Sequence, residues 1–322
     1  MNNQKTAEQL AAIQKEIGKV VVGQEAVVES LLLALLCDGH VLLEGAPGLA
    51  KSLLCSTLAA TLHADFSRIQ FTPDLLPGDI LGTPVYNQQT GEFRTHRGPI
   101  FTNILLSDEI NRAPAKVQSA LLEAMQERQV SIGDESMSLP PLFMVLATQN
   151  PIEQEGTYRL PEAQLDRFLF KLNIAYPTHT EEKEIAKRMA LNLALPEATP
   201  VLTPDDILAM RAAVDEVRVE DKLYDYAVDI AEATRDCAAQ GLPQLQPLIR
   251  YGASPRASIA LIIAGRARAM FAGRDYVIPD DIKNSGGDIL RHRIVLSYEA
   301  MAEQVSADEI VKTVLDHVEV AK

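Results

Sequence analysis

Five short apolar runs recur in the first 177 residues of this chain, and the stretches between them have helical spacing. That alternation is what most restricts the fold. The runs cover residues 41–44, 66–70, 104–108, 143–148 and 168–174, while 52–62 and 116–126 carry apolar residues at helical intervals. Near-continuous apolar strands interleaved with amphipathic helices require a parallel sheet, because the crossover helices cover its faces. A three-layer α/β domain is therefore expected over 1–177. Residues 84–95, around Thr90-Gly91, and 129–139, around Gly133-Asp134, exceed the minimal repeat and read as inserted hairpins.

After Tyr176-Pro177 the β-branched runs fade and helical patterns continue to the end, so 178–322 reads as a smaller helical domain. Two helix starts repeat almost the same phrase, Thr203-Pro204-Asp205-Asp206-Ile207 and Ile278-Pro279-Asp280-Asp281-Ile282. Proline at the first helical position and acids in the first turn suit the positive end of a helix dipole. The Pro- and Leu-rich stretch 242–248 reads as a loop.

A chain of 322 residues, 47% hydrophobic, can bury two cores. Its formal net charge is −14, with 44 acidic against 30 basic residues, which disfavours non-specific attraction to nucleic acid or anionic lipid. Cys37, Cys55 and Cys237 lie far apart with no CxxC pair, so they read as buried small apolar residues in a reducing compartment. No apolar run approaches the roughly 20 residues that span a bilayer, and the first residues do not resemble a signal peptide. A soluble, cytoplasmic protein without membrane insertion is expected.

Between the first strand and the following helix lies Gly45-Ala46-Pro47-Gly48-Leu49-Ala50-Lys51-Ser52, with Leu53 next on the helix. Strand, glycine-rich turn and helix is the context of a Walker A loop. Gly45 and Gly48 let backbone N–H groups wrap a phosphate, and the helix N-terminus adds its positive end. Lys51 reaches β/γ oxygens, and Ser52 offers an oxygen to Mg²⁺. Ala50 replaces the usual glycine before the lysine, which is harmless at helical φ but strained at positive φ.

The third strand ends Ser107-Asp108-Glu109, two adjacent carboxylates closing an otherwise apolar run. Burying them without a purpose would be costly. In a Walker B arrangement Asp108 holds Mg²⁺ through its water shell, and Glu109 polarises the attacking water as general base. The next strand leads to Gln149-Asn150-Pro151, so Asn150 sits near the same sheet edge, where ligands of open α/β folds bind. It either hydrogen-bonds the attacking water or γ-phosphate, or caps the Asn-Pro turn.

Two arginines stand out. Ser254-Pro255-Arg256 places a cation in the first turn of a helix, against the dipole, which points either to an anionic partner or to a solvated side chain. Arg167 falls where the helical segment 161–165 runs into a strand, either paired locally with Asp166 or offered to another subunit's phosphate.

Taken in order, 45–52, 105–113, 147–151 and Leu165-Asp166-Arg167-Phe168 resemble the MoxR family of AAA+ ATPases, as do 151–164 and 252–257. The resemblance covers nearly the whole chain. It implies an AAA+ core followed by an all-α lid, with ATP and Mg²⁺ as cofactors. Asn150 would be sensor 1, Arg167 an arginine finger acting on a neighbour's ATP, and Arg256 sensor 2. Val22, Gly23 and Gln24 would lie beside the adenine, and the hairpins would be the helix-2 and pre-sensor-1 insertions of the family. Ser107 and Arg159 depart from common family residues. The resemblance further implies a homo-oligomeric ring, usually a hexamer, working as a chaperone with a von Willebrand factor A domain protein, and names no client.

Remodelling driven by ATP hydrolysis is the leading functional expectation. A nucleotide-gated assembly module with slow turnover is the alternative. A DNA-translocating ring fits less well, because the net charge is acidic and 84–95 contains only Arg94 as a cation.

Overall fold

The structure is a computed structural model that describes residues 3–89, 91–150, 157–190 and 196–320. Thr90 and the motif segment 151–156 lie outside the described residues. Contacts divide the chain into two compact units, one formed by 9–160 and 172–209, the other by 1–8, 161–171 and 210–322. This division is not in chain order. The segment 161–171, which leads into the last strand of the sheet, belongs with the C-terminal helices.

In chain order the elements begin with α1 (Asn3–Val20), α2 (Glu25–Leu36), β1 (Val41–Glu44), α3 (Lys51–Thr61), β2 (Phe66–Gln70) and α4 (Pro77–Leu81). β3 (Gly82–Asn87), β4 (Glu92–Arg97), β5 (Ile104–Asp108), α5 (Ala115–Glu127), β6 (Gln129–Ile132) and β7 (Glu135–Ser138) follow. Next come β8 (Met144–Gln149), α6 (Glu162–Leu165), β9 (Phe170–Asn173) and α7 (His179–Met189). The main sheet has the order β2-β5-β8-β1-β9, and the pairs β2–β5, β5–β8 and β8–β1 are parallel. β5 and β8 are buried on every residue but the last, as strands covered on both faces must be. α2 buries residues on all its sides, including Leu31 to Leu36, whereas α5 buries Val117, Leu121, Leu122 and Met125 along one stripe.

Two antiparallel hairpins leave this unit's main sheet, β3 with β4 and β6 with β7. Gly82 at the root of the first has φ 111°, and a Cβ there would lie 2.2 Å from the His96 carbonyl oxygen. Only glycine fits that approach. Farther along, Tyr86 and Phe93 pair across the strands with ring centroids 5.2 Å apart, yet both remain more than half exposed.

The remaining elements are α8 (Pro204–Asp215), α9 (Asp221–Ala233), β10 (Ile249–Tyr251), α10 (Pro255–Phe271), α11 (Pro279–Leu290), β11 (Val295–Leu296), α12 (Tyr298–Ala302) and α13 (Ala307–His317). α10 packs against both α9 and α11. Three details depart from what the sequence predicts. Residues expected as a loop form a 3₁₀ helix, Pro243–Leu248, whose prolines pre-set φ and donate nothing to a short helix that needs few donors. The helical unit also carries a two-stranded ribbon, β10 with β11. The repeated helix starts differ in burial. Asp206 accepts from Thr203 N at 2.8 Å at the surface, while buried Asp281 accepts from Ile278 N at 2.8 Å and from both Arg274 Nη atoms at 2.9 and 2.6 Å. Cys55 and Cys237 are buried, but Cys37 is only partly so.

The segment between α6 and β9 is held from beneath by the end of α11. Buried Arg293 donates to Asp166 Oδ1 at 2.7 Å, to the Phe168 carbonyl at 2.7 Å and to the Leu169 carbonyl at 3.0 Å. His292 Nε2 lies 3.0 Å from the same Phe168 carbonyl, so it carries the hydrogen, and buried Nδ1 has no hydrogen-bond partner. Burial above all, and then neighbouring Arg293, Lys171 and Arg291, hold the imidazole well below its ordinary value of 6.5, against the opposing pull of the Phe168 carbonyl. Below pH 6.5 the unfolded chain takes up a proton that the folded chain refuses, so stability falls as pH falls. The expected loss from this group is about 1.4 kcal/mol per pH unit. His292→Gln retains a donor without a titration, and denaturant midpoints between pH 7 and 5 should fall less steeply for it; equal slopes would exclude His292 as the titrating group.

Candidate active site

The register of the parallel sheet gathers the polar strand ends along one edge. Glu44 lies opposite Gln149 between β1 and β8, and Gln70 lies opposite Asp108 between β2 and β5. Within β1, β5 and β8, burial gives way at that final residue, Glu44, Asp108 and Gln149. The carboxyl edge is thus polar where the strand interiors are apolar, as ligand-binding edges of open α/β sheets are.

Residues 45–50 cross this edge between β1 and α3. A Cβ on Gly45 would lie 2.9 Å from the Ile174 carbonyl oxygen, so the turn requires glycine there. Gly48 has φ 85°, with open space where a Cβ would sit. Ala50 has φ 54° and ψ 24°, a left-handed conformation. The position does need positive φ, and alanine holds it at a cost of about 1–2 kcal/mol. Lys51 Nζ donates to the Gly45 carbonyl at 2.7 Å, folding the lysine over its own loop. Burial lowers the Lys51 pKa, while Asp108, Glu109 and Glu44 act in the opposite sense. Ser52, the next residue, is half-buried.

Both carboxylates are fixed by neighbours. Asp108 Oδ1 accepts from Thr148 Oγ1 at 2.6 Å, and its Oδ2 accepts from Arg68 Nη2 at 2.6 Å. Glu109 has φ 56° and ψ 49°, which takes it out of the strand alternation. Its backbone N donates to Thr148 Oγ1 at 2.8 Å, so one threonine hydroxyl links the two acids. Glu109 Oε2 accepts from Gln70 Nε2 at 2.7 Å and pairs with Arg112 Nε at 3.0 Å. Arg68 and Gln70 were not among the expected site residues. The available signal was their i, i+2 spacing on the exposed face of β2, with Ile69 buried between them.

Asn150 follows β8 directly and is half-buried. Arg167 is half-buried in the turn between α6 and β9, and Arg256 is exposed in the first turn of α10. Both belong to the second unit, with Asp166. Ser254 Oγ accepts from Arg256 N at 3.2 Å and donates to Asp166 Oδ2 at 2.9 Å, and Arg256 Nη1 lies 3.8 Å from the same oxygen. Within its own unit, the anion facing Arg256 is therefore Asp166.

A cavity of about 360 Å³ opens beside the glycine-rich turn. Val22, Pro47, Gly48, Leu49, Ala50 and Leu53 line it, joined by Val20, Val21, Ile185 and Met189, which the sequence reading missed. Mostly apolar walls with few polar groups suit a flat ring. Gly23 makes the turn into α2 at φ 72°, where a Cβ would meet a Glu181 carboxylate oxygen at 2.5 Å.

Residues 40–170 match the model of the ATPase family associated with various cellular activities (AAA), and residues 245–314 match the AAA lid domain. Chaperone MoxR1 of Mycobacterium tuberculosis is 50% identical over 303 residues, covering 94% of this chain and 80% of that protein. Protein MoxR of Methylorubrum extorquens is 32% identical over 317 residues, covering 93% and 92%. A solved structure from Cytophaga hutchinsonii, of a protein described as an ATPase, superposes with TM-score 0.94 at 47% identity, covering 100% of this chain and 97% of that one. A glycine-rich turn and paired carboxylates on one sheet edge, with this similarity along nearly the whole length, mean that the chain belongs to the MoxR family of AAA ATPases.

Proposed function

We propose that this chain hydrolyses Mg·ATP and uses the cycle for chaperone-like remodelling of a partner protein. The observation that carries the reading is that Lys51, at the start of the helix after β1, and Asp108 and Glu109, at the end of β5 and joined through the Thr148 hydroxyl, lie along one edge of the parallel sheet. A lysine at a helix N-terminus binds phosphate oxygens, and backbone N–H groups of 45–50 add to that field. Ser52 and Asp108 would hold Mg²⁺, since both offer hard oxygens of the kind it takes. The chemistry such an ion would supply is neutralisation of charge on the phosphates. Glu109 accepts the proton of the attacking water and orients it, and Asn150 hydrogen-bonds that water or the γ-phosphate. The apolar cavity beside Val22 receives the adenine.

Lys51→Ala should lose most ATP binding, at least about tenfold in affinity, because it removes a ground-state phosphate contact. Glu109→Gln should bind ATP normally and lose hydrolysis, because it alters only water activation. Fluorescent-nucleotide titration and phosphate release separate the two. Equal loss of affinity in both variants would take Glu109 out of the general-base role, and near-zero turnover by the unsubstituted chain at saturating Mg·ATP would favour a nucleotide-gated assembly module.

In this reading Arg167 acts on the ATP of a neighbouring subunit in a homo-oligomeric ring, a hexamer, and Arg256 acts on the subunit's own γ-phosphate. An arginine finger supplied in trans is worth about 10³–10⁵ in rate. Arg167→Ala and Glu109→Gln should each be inactive alone, while mixed rings regain activity at interfaces that combine an intact Arg167 with an intact Glu109. Verified mixed rings that stay inactive would count against the trans role.

Partner contacts fit the β3–β4 hairpin, where Val85, Tyr86 and Phe93 are 50%, 53% and 71% exposed. Apolar groups clustered on a projecting hairpin mark an interaction surface. The proposed partner is a von Willebrand factor A domain protein of the cytoplasm. A Tyr86→Ser, Phe93→Ser double variant should keep basal ATPase and lose stimulation by a partner, read as turnover with and without it; unchanged stimulation would move recognition elsewhere. Among the described residues no helix is long and apolar enough to cross a membrane.

A further inference from the structure

Asp108 faces a cation that the chain itself supplies. Arg68 lies on β2, at the edge of the main sheet, two residues before the position that pairs with Asp108. Its Nη2 reaches Asp108 Oδ2 at 2.6 Å and Gln70 Oε1 at 3.2 Å, so Gln70 steadies the guanidinium while its own amide holds Glu109 at 2.7 Å. Arg68 is half exposed, but Asp108 is only 14% exposed, and its other oxygen is taken by Thr148. A guanidinium and a divalent cation seek the same thing from a carboxylate, which is neutralisation of its charge at close range. Neither Arg68 nor Gln70 is needed for the core, since both side chains stand on the exposed face of β2.

We propose that Arg68 is a resident counter-cation for Asp108, which shields that carboxylate in the metal-free site and must give way, or share it, when Mg²⁺ binds. This rests on the reading of Asp108 as a metal-holding residue. Two consequences have opposite signs. Without metal, Arg68 offsets repulsion between Asp108 and nucleotide phosphates and so supports nucleotide binding. With metal, its positive charge opposes a second cation at the same acid and so raises the metal concentration required. Arg68 is then a positioning residue that sets the metal threshold of the site.

The test uses the full chain and Mn²⁺ as probe, titrated into protein saturated with ADP. Bound ion is read from loss of the free-ion electron paramagnetic resonance signal, relative to ADP alone. Arg68→Met should tighten Mn²⁺ binding by about three- to tenfold, a range for a half-exposed charge in partly screened surroundings. The same variant should bind ADP more weakly than the unsubstituted chain in EDTA. Arg68→Lys keeps the charge and should stay near the unsubstituted values in both assays. A purely structural ion pair would weaken both affinities together or leave both unchanged, and either result would overturn the proposal. So would Arg68→Lys behaving as Arg68→Met does. If the unsubstituted chain binds ADP but Mn²⁺ does not respond to Asp108→Asn, the metal-site reading itself falls, and the inference with it.

Discussion

Everything proposed for this chain depends on the register of the parallel sheet. β5 and β8 are apolar and buried up to a last polar residue, and their pairing sets Ser107 beside Ala147 and Leu106 beside Leu146. A slip of one residue would turn every side chain of a strand to the opposite face and drive a carboxylate toward the core. The hydrophobic pattern thus aligns the ends as well as the interior. Once β1, β5 and β8 stop at one edge, the turn after β1 and the acids after β5 have to meet.

The turns at that edge are held in unfavourable conformations. Gln24, Ala50 and Glu109 all have positive φ, at 66°, 54° and 56°, without the freedom of glycine. Neighbouring structure imposes these angles. Ala50 opens α3 and accepts from Leu54 N at 2.9 Å, and Glu109 is tied to Thr148 through its backbone. Strain of about 1–3 kcal/mol per residue persists only where the surroundings over-determine it, and such residues gather at working sites. The Ser107 hydroxyl, buried without a hydrogen-bond partner, is a further local penalty beside the acids.

The sheet and the glycine-rich turn were legible in the sequence because both rest on local signals: apolar run length, glycine spacing and a strand that ends abruptly in acids. Long-range partners were not. Nothing adjacent to Asp108 announces Arg68, 40 residues away, or the Thr148 hydroxyl that links Asp108 with Glu109. The apolar residues Ile185 and Met189 look, in sequence, like any buried stripe of a helix, and only packing beside 47–53 gives them a common cavity. Ala50 could be posed as a question from sequence, since its cost depends on φ, but only a backbone could answer it. The 3₁₀ helix Pro243–Leu248 looks like a loop in sequence because its prolines break α-helical patterns without forbidding a tighter turn.

Asp166 has a consequence of another kind. One carboxylate receives Arg293 from the end of α11 and Ser254 from the start of α10, faces Arg256, and is bonded in sequence to Arg167. Arg167 and Arg256 therefore stand on a single mount, with one buried ion pair as its pin. Any tilt of α10 that carries Arg256 pulls on the carboxylate of Asp166, which precedes Arg167 in sequence. A chain built this way cannot shift Arg256 without straining the carboxylate that precedes Arg167, so the surroundings of the two arginines are geared together by a shared anchor.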